Sequence, residues 1–145
     1  MYAAYDALSD GLKLTLEGLR AEHSSRHVFG KPRPDMEGRL GNYAEATQDA
    51  THPVIITHPD SGRKALYVNP GFTLRFAGWT DAESAPLLNY LYEHAKRPEF
   101  TCRLRWQKGS LAFWDNRSTW HIALNDYQGQ RRIMHRITID GVALN

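Results

Sequence analysis

The sequence is poor in cysteine, has no long apolar run and carries almost no excess charge. Cys102 is the only cysteine among 145 residues, which excludes an internal disulfide framework and a zinc site built from several cysteines. No apolar run approaches the roughly 18 residues of a membrane span. The first 20 residues carry acidic side chains without a continuous apolar stretch, unlike a signal peptide. We therefore expect a cytoplasmic protein with no membrane partner.

The charge balance argues against a polyanionic partner. Lysine and arginine number 18 against 16 acidic residues, a formal net charge of +2, whereas nucleic-acid-binding domains are usually strongly basic. A module that binds nucleic acid is kept as one hypothesis, and it rests only on the arginines and aromatic residues. With 41% apolar and 23% charged residues, the composition is typical of one folded domain, which we expect to span residues 1–145.

Several common catalytic motifs are missing. No Ser-His-Asp or Cys-His triad can be assembled from the spacing of these residues, and there is no glycine-rich phosphate loop. Cys102 lies in a strand pattern without an electropositive helix start beside it, so we do not predict a nucleophilic thiolate there.

The amino-terminal half begins with a helical pattern and continues into a polar stretch. Leucines at positions 8, 12, 16 and 19 fall on one helix face, which predicts a helix from residue 2 to about His23. Residues 24–51 are polar and contain glycine and proline, which predicts a long loop with a short helix near 36–48. This loop is either a functional lid or a disordered insertion.

A hairpin and a second helix follow. Two short apolar runs flank the turn sequence at 58–62, which predicts a β-hairpin over residues 53–69, and 74–79 is a loop or a short strand. Thr80 and Glu83 can form a capping box for a helix that ends at residue 95. Pro86 would delete a hydrogen bond inside that helix, so a start at Ser84 is an alternative.

From residue 99 onward the pattern has a period of two, which is typical of strands. It predicts an antiparallel meander with turns at 108–110 and 124–131. The four predicted strands lie near residues 100–106, 111–114, 118–123 and 132–139. The predicted fold is therefore mostly β, with helices near 4–22 and 84–95 covering its outside.

The last two predicted strands place three notable side chains together. If they pair as a hairpin, His121 lies opposite Met134, and one sheet face carries His121 between Arg132 and Arg136. Imidazole is the commonest transition-metal ligand, and guanidinium groups bind carboxylate, phosphate or sulfonate. The arrangement predicts a metal site that receives two anionic ligands. The alternatives are a slipped register, which reverses the faces, or a solvated arginine face with a structural histidine.

Two other histidines are predicted to be structural. His58 and Asp60 match a His-x-Asp pattern by letters, but they lie in a Pro-Asp-Ser-Gly turn, where proline and aspartate are favoured by turn geometry alone. His135 alternates with Arg132 and Arg136 and so faces the other way.

Several motifs, in order along the chain, resemble those of the taurine dioxygenase family. The carboxyl-terminal ones are Trp114-Asp115-Asn116-Arg117, His121, and Arg-Arg-Ile-Met-His-Arg at 131–136. The upstream ones are His52-Pro53-Val54, Thr57-His58-Pro59, Gly62, residues 65–69, and Gly71-Phe72. The resemblance runs from about Leu8 to Gly141. It looks most like the members that act on sulfonates or alkyl sulfates.

The resemblance implies an Fe(II)- and 2-oxoglutarate-dependent dioxygenase built on a double-stranded β-helix (jelly roll), with iron held by two histidines and a carboxylate. His121 matches the second histidine, Arg132 matches the arginine that binds the far carboxylate of 2-oxoglutarate, and Arg136 matches the arginine for the substrate's anionic head. Trp114 matches a tryptophan near the iron, and Phe72 matches an aromatic residue of the substrate pocket. The implied partners are O2, 2-oxoglutarate and a small anionic organic substrate, which is hydroxylated at the carbon beside its sulfo group.

One family motif has no counterpart here. The family's first two iron ligands form a His-x-Asp motif upstream of every matching residue, whereas His58-Pro59-Asp60 lies in a turn that the family already has. We therefore expect the carboxyl-terminal half of a longer enzyme with an incomplete jelly roll: a fragment, a split or truncated gene product, or a mispredicted start. Two hypotheses follow: a dioxygenase module that is active only with its amino-terminal half, or an inactive domain whose exposed sheet edge mediates interaction or homo-oligomerisation.

Overall fold

The computed structural model describes residues 1–29, 47–142 and 144. It contains two antiparallel sheets and four helices, and the described residues after Phe100 form no helix or strand. The helices are α1 (Tyr2–Asp6), α2 (Asp10–Glu17), α3 (Arg26–Phe29) and α4 (Asp81–Ala95), followed by a 3₁₀ turn at Pro98–Phe100. The strands are β1 (Arg20–Ser24), β2 (Asp49–Pro53), β3 (Ile55–Thr57), β4 (Lys64–Leu66) and β5 (Thr73–Phe76). No helix in the described ranges is long and apolar enough to cross a membrane.

The amino-terminal helix is broken where the leucine pattern predicted it to be continuous. Ser9 is the N-cap of α2, its side chain accepting the N–H of Leu12, and Gly18 is the C-cap. The prediction of one helix to His23 is therefore wrong, because the chain continues as β1. The spacing of the leucines indicates which residues are buried, not whether the helix is continuous. Leu8 and Leu16 are both buried, although they lie on opposite sides of the break.

Both sheets are antiparallel. The larger has the strand order β2-β1-β5, with Ala21 opposite His52 on one side and opposite Phe76 on the other. The smaller is the hairpin β3-β4, which confirms the hairpin predicted over 53–69. Its turn is closed by the Gly62 N–H, which donates to the His58 carbonyl, and Gly62 has φ = 67°, a conformation that glycine adopts without strain. Residues 74–79 were predicted to form a loop or a short strand, and β5 at Thr73–Phe76 confirms the short strand.

Helix α4 begins at Asp81, so the alternative start at Ser84 is wrong. Both capping-box hydrogen bonds are present: Thr80 Oγ1 accepts the N–H of Glu83, and Glu83 Oε2 accepts the N–H of Thr80. Pro86 lies in the second turn, where it removes one hydrogen bond near the helix end. Ser84 is fully buried, and its Oγ accepts the N–H of Phe76 at 3.1 Å, which fixes the helix on β5.

One apolar core joins α1, α2 and α4 to both sheets. Its members include Tyr5, Leu8, Leu16, Ala21, Val54, Ile55, Leu66, Val68, Phe76, Leu88 and Leu91. The predicted loop over 24–51 is partly regular, since α3 and β2 occupy its two ends. The short helix predicted near 36–48 lies almost entirely outside the described residues.

The four strands predicted between residues 100 and 139 are absent from the described chain. Two predicted turns are nevertheless formed. Ser110 N–H donates to the Gln107 carbonyl, and Gln130 N–H donates to the Tyr127 carbonyl, both at 2.9 Å. The difference has a physical reason, because a turn closes its own hydrogen bond whereas a strand needs a neighbour to receive its backbone groups. The described fold therefore has small antiparallel sheets with helices beside them, but of these sheets only the β3-β4 hairpin was predicted, and the predicted meander is absent.

Candidate functional site

The structure does not bring together the three residues predicted to share a sheet face. The hairpin that would place His121 opposite Met134 is not formed. His121 is exposed, and its ring centroid lies 4.8 Å from that of Trp114. Arg132 lies over the Tyr127 ring at 5.3 Å from its centroid, and Arg136 is exposed. Within the described residues, no hydrogen bond, ion pair or ring contact joins these three predicted site residues.

The two arginines are available to anions. Neither Arg132 nor Arg136 forms an ion pair within the part of the chain that the structure describes. A depression is lined by Tyr127, Gln130 and residues 131–134, which include Arg131 and Arg132. Guanidinium groups without carboxylate partners favour an oxyanion as ligand.

Phe72, predicted as a pocket residue, lies in the turn before β5. Asn69 Oδ1 accepts the backbone N–H of Phe72 at 2.8 Å, and the Phe72 carbonyl accepts the N–H of Ser24 at 2.8 Å. Its backbone is thus fixed by the turn and by β1, and the residue is 38% exposed. These contacts position the residue without testing its role.

His58 is held by hydrogen bonds on both sides of its ring. Nδ1 accepts the backbone N–H groups of Asp60 and Ser61 at 3.3 Å each. The ring proton is therefore on Nε2, which donates to Oδ2 of Asp115 at 2.9 Å. Because the side chain is buried and both nitrogens are engaged, the geometry gives His58 the structural role predicted for it.

Asp115 and Arg117 complete this cluster. Arg117 donates through Nε and Nη2 to the Asp115 carboxylate, and through Nη2 to Asp60 at 3.1 Å. The Arg117 guanidinium, followed by the His58 ring, holds the pKa of Asp115 well below its usual range, and the carboxylate raises the pKa of Arg117. The amino-terminal ammonium of Met1 donates to the Ser118 carbonyl beside it. Residues 114–118 are thereby held against the β3-β4 hairpin. They include Trp114, whose ring contacts that of His121.

Local sequence patterns could not have found this cluster. His58 and Asp115 are 57 positions apart, and each also fits a local role, one in a turn and the other in the Trp-Asp-Asn-Arg motif. The only signal was that both motifs appear in the same family resemblance.

A second group of rings comes from β1, from β2 and from Tyr67, the residue that follows β4. The ring centroids of His23, His52 and Tyr67 are 5.4 to 5.7 Å apart. His23 Nδ1 hydrogen-bonds with Thr73 Oγ1 at 3.2 Å, while Nε2 is buried without a partner among the described residues. Burial, followed by the neighbouring His52, lowers the pKa of His23 to about 4. The imidazole is therefore neutral in the folded state at neutral pH.

The described residues alone do not make a metal site. No group of three or more His, Cys, Asp or Glu side chains within 1–29 and 47–142 could hold an ion. His121 offers one imidazole, and an iron site with open positions for co-substrate and oxygen needs two histidines and a carboxylate. The residues that the structure describes therefore do not by themselves supply the ligand set that Fe(II) needs in such a site.

The sequence matches one family and several of its members. The model of the family described as "Taurine catabolism dioxygenase TauD, TfdA family" matches residues 1–138. The chain is 41% identical to the alkylsulfatase of Acinetobacter baylyi over 143 residues, covering 95% of this chain and 45% of the relative. It is 36% identical to the alpha-ketoglutarate-dependent sulfate ester dioxygenase of Pseudomonas putida over 144 residues, covering 96% and 48%.

A solved structure matches the fold as well. The crystal structure of a taurine dioxygenase from Burkholderia xenovorans superposes with a TM-score of 0.63 at 38% identity, covering 81% of this chain and 35% of that one. The chain thus spans just under half the length of each of the two curated relatives.

Proposed function

The chain belongs to the TauD/TfdA family of taurine catabolism dioxygenases, and we propose that it forms the anion-binding part of an Fe(II)- and 2-oxoglutarate-dependent dioxygenase. The observation that carries the proposal is the family match over residues 1–138, which includes His121, Arg132 and Arg136. The overall reaction consumes O2 and 2-oxoglutarate, releases succinate and CO2, and leaves a hydroxyl group on the substrate carbon beside the sulfo group.

Each site residue has a distinct task in this proposal. His121 contributes one imidazole ligand to iron, and the Trp114 ring against it restricts its orientation. Arg132 binds the far carboxylate of 2-oxoglutarate, for which its forked guanidinium is suited. Arg136 binds the anionic head of the substrate, and Phe72 lines the pocket around the substrate's apolar part.

The substrate class follows from charge and from the relatives. The two arginines have no acidic partner in the described chain, so the site selects a dianionic co-substrate and an anionic substrate. The relatives are named for alkyl sulfates, sulfate esters and taurine, all of which contain a sulfur oxyanion. We therefore propose a small sulfonate or alkyl sulfate as the substrate.

The fold proposal is the carboxyl-terminal part of a double-stranded β-helix spanning residues 1–145. The similarity to a taurine dioxygenase structure supports it. It requires the residues predicted as strands after Phe100 to form those strands when the rest of the domain is present. The two missing iron ligands would come from that remainder, since the described residues do not supply them.

The experiment is a test of activity in a completed domain. The chain is joined to the amino-terminal part of the Acinetobacter baylyi alkylsulfatase and incubated with Fe(II), 2-oxoglutarate and either an alkyl sulfate or taurine. Succinate formation that depends on substrate and is lost in His121→Ala supports the proposal. A folded fusion that binds Fe(II) and makes no succinate with any sulfur oxyanion contradicts it.

The second candidate is an inactive interaction or dimerisation module. The exposed residues after Phe100, which form no strand in the described chain, favour it, because unpaired extended backbone is a template for pairing with another chain. Two measurements separate the functions. An interaction module binds its partner chain equally well when His121, Arg132 and Arg136 are all replaced by alanine, and it never forms succinate.

A further inference from the structure

The turn that carries Phe72 is closed by hydrogen bonds between Asn69 and Thr73. Asn69 Oδ1 accepts the backbone N–H groups of Gly71 and Phe72 at 3.0 and 2.8 Å. The Thr73 N–H donates to the Asn69 carbonyl at 3.0 Å, and Thr73 Oγ1 in return accepts the Asn69 N–H at 2.9 Å. A Cβ at Gly71 would lie only 3.3 Å from Asn69 Oδ1, so glycine suits this tight turn. Four hydrogen bonds therefore fix the backbone on both sides of Phe72.

A register shift of the β-bulge type places Thr73 opposite a buried imidazole. β1 pairs with β5 in regular register as far as Glu22, which lies opposite Arg75. One residue of β5 is then skipped, so that His23 lies opposite Thr73 rather than Leu74. Bulges change the direction in which a side chain points, and they are common beside active sites. Here the shift brings Thr73 Oγ1 to 3.2 Å from His23 Nδ1, in a hydrogen bond that is buried.

His23 makes this contact although its burial is unfavourable. The imidazole is buried beside the rings of His52 and Tyr67, and its Nε2 has no partner among the described residues. A buried nitrogen without a hydrogen bond destabilises the fold, and an apolar side chain at this position would avoid that loss. What His23 supplies, and an apolar residue would not, is the Nδ1 contact that holds the Thr73 hydroxyl in place.

The turn is also held from outside, by β1 and by α3. The Ser24 N–H donates to the Phe72 carbonyl at 2.8 Å, and His27 Nε2 hydrogen-bonds with the Gly71 carbonyl at 2.8 Å. Although its backbone is held at both the N–H and the carbonyl, Phe72 remains 38% exposed. An exposed aromatic residue on a rigid backbone is suited to contact a ligand, because little of its freedom is lost on binding.

We propose that Thr73 is a positioning residue for Phe72, and that through this ring it sets the size of the apolar group that the substrate carries. Its hydroxyl joins the turn to β1, and removing it leaves the Asn69 N–H and His23 Nδ1 without this partner. The turn is then less restrained, and so is the Phe72 ring. The proposal rests on the proposed function, in which Phe72 lines the substrate pocket, and deepens it by naming a determinant of substrate size.

The first experiment measures the turn in the isolated chain, without iron, co-substrate or substrate. Thr73→Val keeps the shape of the side chain and removes the hydroxyl, whereas Thr73→Ser keeps the hydroxyl. Hydrogen exchange at the Phe72 and Ser24 amides should be at least tenfold faster in Thr73→Val and close to the wild-type rate in Thr73→Ser. Thr57→Val is the matched control, because Thr57 is exposed in β3 and its side chain forms no hydrogen bond within the described residues. It should leave both amides unchanged.

The second experiment measures substrate size in the fusion to the amino-terminal part of the Acinetobacter baylyi alkylsulfatase. Dissociation constants for ethyl sulfate and hexyl sulfate are measured by calorimetry on the iron-free fusion, so the result does not depend on turnover. Thr73→Val should weaken the binding of hexyl sulfate by about fourfold, which corresponds to the contact of one methylene group. The binding of ethyl sulfate should stay within twofold of the wild-type value.

The two proposals fail in different ways. A fusion that forms no succinate contradicts the proposed function, whereas the positioning role is judged by exchange and by binding without iron. That role is overturned if Thr73→Val and Thr73→Ser change the two amides alike, or if exchange in α4 rises as much as exchange in the turn. It is also overturned if the wild-type fusion binds hexyl sulfate no more tightly than ethyl sulfate, or if Thr73→Val leaves the ratio of the two dissociation constants unchanged.

Discussion

Nε2 of His58 donates to Oδ2 of Asp115 at 2.9 Å and joins a hairpin turn to a segment 57 positions further along the chain. The donor is fixed because Nδ1 already accepts two backbone N–H groups. The acceptor is fixed because Arg117 holds the same carboxylate. This contact links the folded body to the residues that carry the predicted site.

Replacing His58 should loosen the segment around residues 114–118. His58→Ala removes the Nε2 donor and opens a cavity in the turn, so we expect a loss of about 1–3 kcal/mol in the free energy of unfolding. Backbone exchange of Arg117 and Ser118 should become at least tenfold faster. Urea unfolding and hydrogen exchange measure the two effects.

His135→Ala is the matched control for this substitution, because His135 is exposed and forms no hydrogen bond, ion pair or ring contact within the described chain. It should change neither quantity. His58→Gln, which can still donate to Asp115, should restore part of the loss. Equal effects of His58→Ala and His135→Ala would show that the contact does not hold the segment.

Ser84→Ala should destabilise the packing of α4 on β5. Ser84 Oγ accepts the buried N–H of Phe76, and alanine leaves that donor without a partner, which costs about 1–3 kcal/mol. Ser110→Ala removes a hydrogen bond of the same kind, since Ser110 Oγ accepts the N–H of Gln107. Ser110 is exposed, so its loss should stay within about 0.5 kcal/mol. Thermal unfolding that ranks the two equally contradicts this assignment.

Stability should fall as the pH decreases from 7 towards 4, because of His23. Its pKa is about 4 in the folded state against 6.5 ordinarily, so below pH 6.5 the unfolded chain takes up a proton that the folded chain refuses. The full shift corresponds to about 3 kcal/mol. Burial and then Arg20 lower the pKa of the facing His52, which adds a loss of the same sign, whereas Tyr67 and Thr73 stay neutral.

Urea unfolding at pH 7.5 and pH 4.5 checks this pH dependence. His23→Leu should lose clearly less stability between the two values than the wild-type chain, whereas His135→Leu should behave like the wild type. Asp115 does not interfere, since its lowered folded pKa makes its own loss begin only as the pH falls below about 4. An unchanged pH dependence in His23→Leu would contradict the burial of a neutral imidazole.

Structures that depend on residues close together in the sequence were predictable, whereas the pairing of residues far apart in the sequence was not. The capping box of Thr80 and Glu83, the glycine turns at 62 and 109, and the β3-β4 hairpin depend on neighbouring residues, and all are present. The predicted amino-terminal helix was too long because its leucine pattern continued across the cap at Ser9. The strands after Phe100 were predicted from alternation, which indicates how a strand would pack but not whether a neighbour is present to pair with it.

The candidate site divides in the same way. His121, Arg132 and Arg136 were identified from strand spacing and from the family resemblance, but their predicted proximity depended on a hairpin that the described chain does not form. The contact between His58 and Asp115 depended on tertiary structure and had no local signal. The residue types were therefore predictable, whereas their proximity depends on the pairing of two strands and was not.

The isolated chain should not assemble an iron site. With one imidazole at His121 and no group of three ligands in the described residues, adding Fe(II) and 2-oxoglutarate under anaerobic conditions should give no visible charge-transfer band. A band that disappears in His121→Ala but survives in Asp60→Ala would mean that the missing ligands come from elsewhere, for example from a second chain. A band lost in Asp60→Ala would instead make the hairpin turn a metal site and contradict the structural role of His58.

The two arginines should separate in the kinetics of the completed domain. Arg132→Ala should raise the KM for 2-oxoglutarate most, because removing one partner of a desolvated charge pair costs about 2–5 kcal/mol. Arg136→Ala should instead raise the KM for the sulfur oxyanion, with little effect on 2-oxoglutarate. Lysine at either position should rescue only part of the loss, because it keeps the charge without the fork. Arg105→Ala is the control, an exposed arginine without an ion pair in the described chain, and should change neither KM. If Arg132→Ala and Arg136→Ala raise the same KM, or if both simply unfold the domain, then the two guanidinium groups do not divide the ligands as proposed.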